Sequence, residues 1–310
     1  MIKYVLNYKK IISVFTAFII FLLSICTYSS NSSADNTTRS YKIFRASNGT
    51  YLDEYTLTSL PTVNNSRYIF GMDDRQIDWS KSGVVKLMSV IGIQGTGFVV
   101  DEHTIATAAH CVYNEYTGGG MPLTEIRLFD NNGNQTLSAT PVNVHIPNAY
   151  IQANQPSDNY SYNFVSDYAL IIVEEDLSAY ACFNLAVPLD TINLSATNVT
   201  VTGFPEKING EYVNTEDDDE MYSASGTLYQ MNSNDFLHYV DTDNGNSGGP
   251  TYVTETRNGN TCYSVIGIYS ATVGYVNDPN LYSASTRITT DLLHFYLNNC
   301  KVNEFLEDLT

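Results

Sequence analysis

Cysteine is scarce in this chain. There are five in 310 residues, and one of them, Cys26, falls inside an N-terminal apolar run. The other four, Cys111, Cys182, Cys262 and Cys300, show no CxxC spacing and no histidine cluster beside them, which leaves a zinc site little support. They permit disulfides if the chain is exported; Cys182 with Cys300 is a pairing to test, although sequence alone leaves three connectivities or none. Positive charge is scarcer still. After residue 67 there are eight Lys and Arg against 30 Asp and Glu, a formal charge of −22. Such a surface repels nucleic acid and anionic lipid, so neither is an expected partner. Histidine is limited to five residues, which keeps the search for an imidazole base short.

What is present suits a folded body, with 43% hydrophobic and 15% charged residues. Lys3, Lys9 and Lys10 precede an uncharged apolar run over residues 11–28, and Ser32-Ser33-Ala34 supplies small residues for a peptidase. Residues 1–34 therefore read as a signal peptide cut near Ala34, which implies a secreted protein with no membrane contact in its mature form. An uncleaved anchor is the competing reading, since the run is long enough to span a bilayer. Residues 35–67 are rich in Ser, Thr and Asn and end in Arg67 before the apolar Tyr68-Ile69-Phe70. They read as a propeptide with its processing site, or else as an extension without a regulatory role.

From Tyr68 onward, short apolar or alternating runs are cut by Gly, Asn, Asp and Pro. They lie at 84–90, 97–100, 125–129, 169–173, 199–201 and 263–269. Many short strands between turn signals predict an all-β sandwich or barrel, and 24 tyrosines agree with strands. Leu293, Tyr296, Leu297 and Cys300, at i, i+3, i+4 and i+7, predict one amphipathic C-terminal helix. The acidic run 216–220 reads as a solvated loop, with calcium binding as its alternative.

Three glycines and two asparagines crowd around one serine in Asp243-Asn244-Gly245-Asn246-Ser247-Gly248-Gly249-Pro250. Such residues tolerate unusual backbone angles, so the main chain here is built to aim its N–H groups, and Ser247 is a candidate nucleophile. A serine hydroxyl needs a histidine to take its proton and an acid to orient that histidine. His110 closes Thr107-Ala108-Ala109-His110, where small residues let a ring sit against the backbone; Asp167 opens the apolar run Tyr168-Ala169-Leu170-Ile171-Ile172-Val173. Asp167 buried without a partner would be costly, and a histidine N–H would compensate it. The same serine also satisfies the G-x-S-x-G elbow, but that motif requires a helix after the serine. Gly248-Gly249-Pro250-Thr251-Tyr252-Val253 instead points to a loop entering a strand.

These residues resemble the chymotrypsin-like serine proteases, and within them the staphylococcal-type glutamyl endopeptidase branch. The carriers are Gly95-Thr96-Gly97-Phe98, Thr107-Ala108-Ala109-His110-Cys111, Asp167-Tyr168-Ala169-Leu170 and Gly245-Asn246-Ser247-Gly248-Gly249-Pro250, from about Tyr68 to the terminal helix. The resemblance implies two perpendicular antiparallel β-barrels with a cleft between them, the first over 68–185 with His110 and Asp167, the second over 186–310 with Ser247. It implies hydrolysis of protein or peptide substrates through an acyl-enzyme, with no metal or organic cofactor, by a chain expected to act as a monomer. Gly245 and Ser247 would supply oxyanion N–H groups, each worth roughly 3 to 4 kcal/mol of barrier. Ser270 would support the buried aspartate, and 270–272 would pair with an extended substrate.

There are departures from the family pattern. Asn246 stands where trypsin-type enzymes carry an aspartate that captures a new N-terminus, and Gln94 stands where a cysteine often bridges to the one after the catalytic histidine. Alignment of the motifs puts Thr242, Tyr269, Thr272 and Ser285 around the first specificity pocket. A threonine at 242 disfavours Arg and Lys as the residue before the cut. Glutamyl endopeptidases carry a histidine, which helps hold a substrate carboxylate, where Tyr269 stands here; the hydroxyls of Thr242, Tyr269 and Thr272 can still donate to a carboxylate, and the expectation is cleavage after Glu, with an uncharged residue as the rival. A non-catalytic binding protein on the same fold is the alternative of another class.

Overall fold

The alternating and apolar runs of the body all become strands. A computed structural model describes residues 39–45, 50–57, 73–115, 117–154, 166–180, 183–188, 192–215, 217–257, 259–274 and 281–300. The signal peptide, the Arg67 processing site, Glu216, and the Cys182–Cys300 pairing lie outside the described residues and side chains. Among the described residues, no helix is long and apolar enough to cross a membrane.

One sheet runs Gln135–Ala139, Leu123–Phe129, Val84–Ser89, Gly92–Asp101, Thr104–Thr107, Ala169–Val173, Pro141–Pro147, Arg39–Arg45, Thr50–Leu57, and its first and seventh strands are joined covalently through Thr140 rather than by a ladder. By hydrogen bonding it is a half-barrel. The other sheet closes. Asn260–Gly274 pairs with Pro250–Arg257, then follow Asn198–Gly203, Tyr222–Met231, Asp235–His238 and Leu281–Arg287, which pairs back onto Asn260–Gly274. Central strands of the first sheet are buried on both faces: Val84–Ser89, Thr104–Thr107 and Ala169–Val173 contain only buried residues. This explains why their sequences read as continuous apolar runs rather than alternation.

Sheet membership moves the expected division at 185/186. Phe183–Leu185 pairs in parallel with Asn260–Gly274, and Gln76–Ile77 pairs with Tyr222–Met231, so both belong to the second sheet. The helix at the C-terminus is present as Thr290–Cys300; among its described side chains Leu292, Phe295 and Tyr296 are buried and Leu293 is half-buried, while Leu297 and Cys300 lie outside the described side chains. Phe295 meets Tyr168 edge-on at 5.6 Å, next to Asp167 in sequence.

Within residues 35–67, read above as a polar propeptide, Arg39–Arg45 pairs antiparallel with Thr50–Leu57 and with Pro141–Pro147. The β-formers in Tyr41-Lys42-Ile43-Phe44 and Tyr51-Leu52-Asp53-Glu54-Tyr55 suit strands once a free sheet edge is available.

The acidic loop before Tyr222–Met231 is not simply solvated. Lys86, fully buried on its strand, donates from Nζ to Asp219 Oδ1 (2.6 Å), to the Asp218 carbonyl (2.7 Å) and to the Thr215 carbonyl (3.0 Å). An ammonium thus sits among the loop oxygens. Burial pulls the Lys86 pKa down, with Asp219 opposing. Removing the ammonium leaves the Thr215 and Asp218 carbonyls without this donor and leaves Asp219 the longer contact with Arg127 Nη1 at 3.3 Å. Lys86→Met should therefore cost about 3 kcal/mol in urea unfolding, and adding Asp219→Asn should return part of it. A loss below about 0.5 kcal/mol would show that the ammonium does not hold the loop.

Candidate active site

His110 lies in a single 3-10 turn, Ala109–Cys111, that ends the Thr104–Thr107 strand. Asp167 opens the neighbouring strand Ala169–Val173, which pairs directly with Thr104–Thr107. Adjacent strand ends therefore bring the two side chains together. His110 Nδ1 donates to Asp167 Oδ2 at 2.8 Å and the His110 backbone N–H donates to Oδ1 at 3.0 Å. Ser270 Oγ, from the second sheet, also donates to Oδ2, and Thr286 Oγ1 donates to the Asp167 carbonyl at 3.2 Å.

Ser247 is held by the same neighbours, its Oγ 3.4 Å from the Ser270 carbonyl. Its loop takes two positive-φ residues, Gly245 (+86°) and Gly248 (+85°), and a Cβ would strike the Phe204 carbonyl at the first and the Thr96 carbonyl at the second. Within the loop, Asn246 N–H donates to the Asp243 carbonyl, Gly248 N–H to Tyr269 and Gly249 N–H to Asn246. The N–H groups of Gly245 and Ser247 find no acceptor among the described residues. Two unsatisfied donors side by side form an anion-binding concavity. Asn246, the departure noted above, serves the loop itself: its Oδ1 accepts from Asp243 N–H at 2.9 Å.

Thr242 joins a buried chain of hydroxyls. Its Oγ1 donates to Tyr269 OH (2.8 Å) and lies 2.9 Å from Ser283 Oγ; Tyr269 OH is 3.3 Å from Thr272 Oγ1. Ser285 does not join them. It sits one layer behind, bonded to Thr251 Oγ1 (2.7 Å) and His238 Nε2 (3.0 Å). Sequence reasoning missed Ser283, which strand alternation from Ser285 would have found, and His238. Burial pushes His238 down to about 3, so this region carries no imidazolium. Asp241 and Asp243, which flank Thr242, accept backbone N–H groups of Asp74 (3.1 Å) and Lys207 (3.1 Å). Cys111 is buried and free, as expected with Gln94 opposite the usual position.

Burial disfavours the His110 imidazolium, yet the Asp167 carboxylate outweighs it and raises the histidine well above its ordinary value. Burial likewise opposes ionised Asp167, but His110 and the hydrogen bonds hold it below the usual carboxylate range. A histidine raised on folding stabilises the fold at pH below its unfolded pKa of about 6.5, and that contribution is lost as pH rises through the folded value. NMR titration of the His110 ring should centre above 6.5, and Asp167→Asn should bring it down. An unchanged midpoint in the variant would rule out Asp167 as the cause.

Comparison with known proteins agrees with this arrangement. The Trypsin family profile matches residues 70–293. Glutamyl endopeptidase of Bacillus licheniformis is 24% identical over 230 residues, covering 72% of this chain; the chain spans 66% of the length of that relative. Among solved structures, a Glu endopeptidase in complex with MPD superposes with a TM-score of 0.58 at 18% identity, covering 76% of this chain and all of that one. With a family match across both sheets, and a closed barrel beside a half-barrel, the chain belongs to the trypsin family.

Proposed function

We propose that the chain is a serine endopeptidase acting through an acyl-enzyme on Ser247. The observation that carries this reading is the bonding around Asp167, a buried carboxylate held by His110 from one sheet and by Ser270 from the other. Ser247 Oγ attacks the scissile carbonyl while His110 takes its proton and later returns it to the leaving amine. Asp167 fixes the ring with Nδ1 protonated, leaving Nε2 as the base, and steadies the imidazolium that forms. The N–H groups of Gly245 and Ser247 receive the oxyanion. Neither metal nor organic cofactor enters these steps. Residues 270–272 pair with the substrate as an added strand, so partners are protein or peptide chains. Residues 1–34 direct secretion, and cleavage after Arg67 yields the mature N-terminus.

The side chain before the cut enters the hydroxyl cluster of Thr242, Tyr269, Thr272 and Ser283. These are directional donors without a fixed cation, which suits the carboxylate of Glu and matches the name of the relatives. Asp241 and Asp243, which flank Thr242, accept from the backbone N–H groups of Asp74 and Lys207, so neither carboxylate is offered to a basic side chain by these bonds.

Ser247→Ala should abolish peptide hydrolysis and fluorophosphonate labelling with the circular dichroism spectrum unchanged. Labelling at the wild-type rate in that variant would remove Ser247 as nucleophile. In a panel varying only the residue before the cut, Glu should exceed Gln by at least about tenfold, for one or two charge-assisted hydrogen bonds. The excess should grow with salt as repulsion from the acidic body is screened. Equal rates for Glu and Gln, or preference for Phe, Leu or Arg, would refute Glu specificity and leave the serine protease reading intact.

A further inference from the structure

Residues 39–57, ahead of Arg67 in the chain, extend the first sheet at one edge. Arg39–Arg45 pairs with Pro141–Pro147 over five residues, from Tyr41 opposite Pro147 to Arg45 opposite Asn143, and with Thr50–Leu57 on its other side. The remaining neighbour of Pro141–Pro147 is Ala169–Val173, the strand that Asp167 opens. Without the added pair, Pro141–Pro147 would be an edge with a row of open N–H and C=O groups. Its burial is that of an interior strand instead: Val144, His145, Ile146 and Pro147 are buried in succession, on both faces.

The added pair also meets two segments that frame His110 and Asp167. Arg39–Arg45 lies against the short helix Asn148–Ala153, which continues from Pro141–Pro147, and Thr50–Leu57 lies against Gly119–Gly120. Gly119–Gly120 pairs in turn with Tyr113–Asn114, just beyond the His110 turn. These two segments hold each other. Tyr150 OH donates to Glu115 Oε1 at 2.6 Å, and the Tyr150 ring meets that of Tyr113 edge-on at 6.2 Å. The strand pair therefore touches both members of a junction beside the catalytic histidine.

Charge and chain length favour lasting attachment. Arg39, Lys42 and Arg45 give the pairing strand three positive charges and no negative one, against a body of −22. Arg67 is ten residues beyond Leu57 in sequence, so a cut there severs the chain without removing a residue of either strand. A substrate paired with 270–272 uses the other sheet, and the two do not compete for one edge. We propose that residues 39–57 remain on the body after the cut, as a noncovalently bound strand pair that completes the first sheet at Pro141–Pro147 and leaves the cleft open. The segment is then a lasting part of the mature protein rather than an inhibitor that is removed. The inference rests on the processing step of the reading above.

The test uses the full chain as Ser247→Ala, with the site of a sequence-specific protease inserted after Arg67. The cut then falls at one known place, whatever the natural one, and the result does not depend on the chain being a protease. At about 20 μM, gel filtration with native mass spectrometry should find fragment and body together at one to one, for a Kd below about 1 μM, and denaturant should part them. An isotope-labelled peptide of residues 35–67 should exchange into the cut complex. The same peptide with Ile43→Pro should do so at least about tenfold less well, because proline removes an N–H from the ladder. Added peptide should raise the melting midpoint of the cut chain with concentration and leave that of the uncut chain, whose edge is already occupied, unchanged. Elution of the fragment apart from the body, or equal exchange of the two peptides, overturns the retained strand pair. In the Ser247 chain cut at the same site, fluorophosphonate labelling should be the same with and without excess peptide; slowing by about tenfold makes the segment an inhibitor and overturns the open cleft. A chain that takes no label in any state overturns the protease reading and leaves the retention result standing.

Discussion

A negative charge with no access to water governs this structure. Asp167 is completely buried, and an isolated carboxylate there would cost several kcal/mol. Its compensation comes from two sheets at once: His110 gives two N–H donors from the half-barrel, and Ser270 gives a hydroxyl from the closed barrel. Neither sheet alone satisfies the group. Docking of the sheets and assembly of the polar centre are therefore one event, and Ser247, held against the Ser270 carbonyl, is positioned by the same contact.

Thr96 is the counterpart of Asp167 on the other side of the serine loop. Its N–H and hydroxyl donate to the carbonyls of Ser247 and Gly245, its hydroxyl accepts from Phe204 N–H at 3.0 Å, and its own carbonyl accepts from Thr107 Oγ1 at 2.7 Å. With the carbonyls of Ser247 and Gly245 engaged in this way, the serine loop is held in place from the Thr96 side. Preorganisation of that kind costs nothing at the moment of reaction. The lack of a Cβ at Gly95 serves the same packing, since one would meet Cys111 Sγ at 2.6 Å and the Ser247 carbonyl at 2.8 Å.

Legibility in the sequence follows the range of the interaction. Strands at 84–89, 123–129 and 169–173 were readable because apolar runs between turn residues are local patterns, and the spacing of small residues before His110 and around Ser247 was readable for the same reason. Lys86 with Asp219, 133 residues apart, leaves no local trace: a lysine in a strand and an acidic run each read as solvent-facing. The 39–57 hairpin was missed because its pattern is too polar to specify a strand without the edge of Pro141–Pro147 to pair with. Ser283 escaped because motif alignment pointed at Ser285, two residues on and facing the same side of its strand. Only the observed bonds separate the residue that meets Thr242 from the one that meets His238.

In the function proposed above, the hydroxyl cluster and the acidic exterior together amount to a particular way of discriminating among substrates. A cation at the base of the pocket would attract any anion, and in a body of −22 it would be partly neutralised by its surroundings. Hydroxyls on Thr242, Tyr269, Thr272 and Ser283 attract weakly at long range but demand geometry at short range. His238 behind them is kept neutral by its own burial and adds no field. On the proposed reading, selectivity built on donors rather than on charge falls off steeply when the carboxylate is misplaced by one methylene, so a pocket of this kind would separate Glu from Asp by reach, as well as from Gln by acceptor strength.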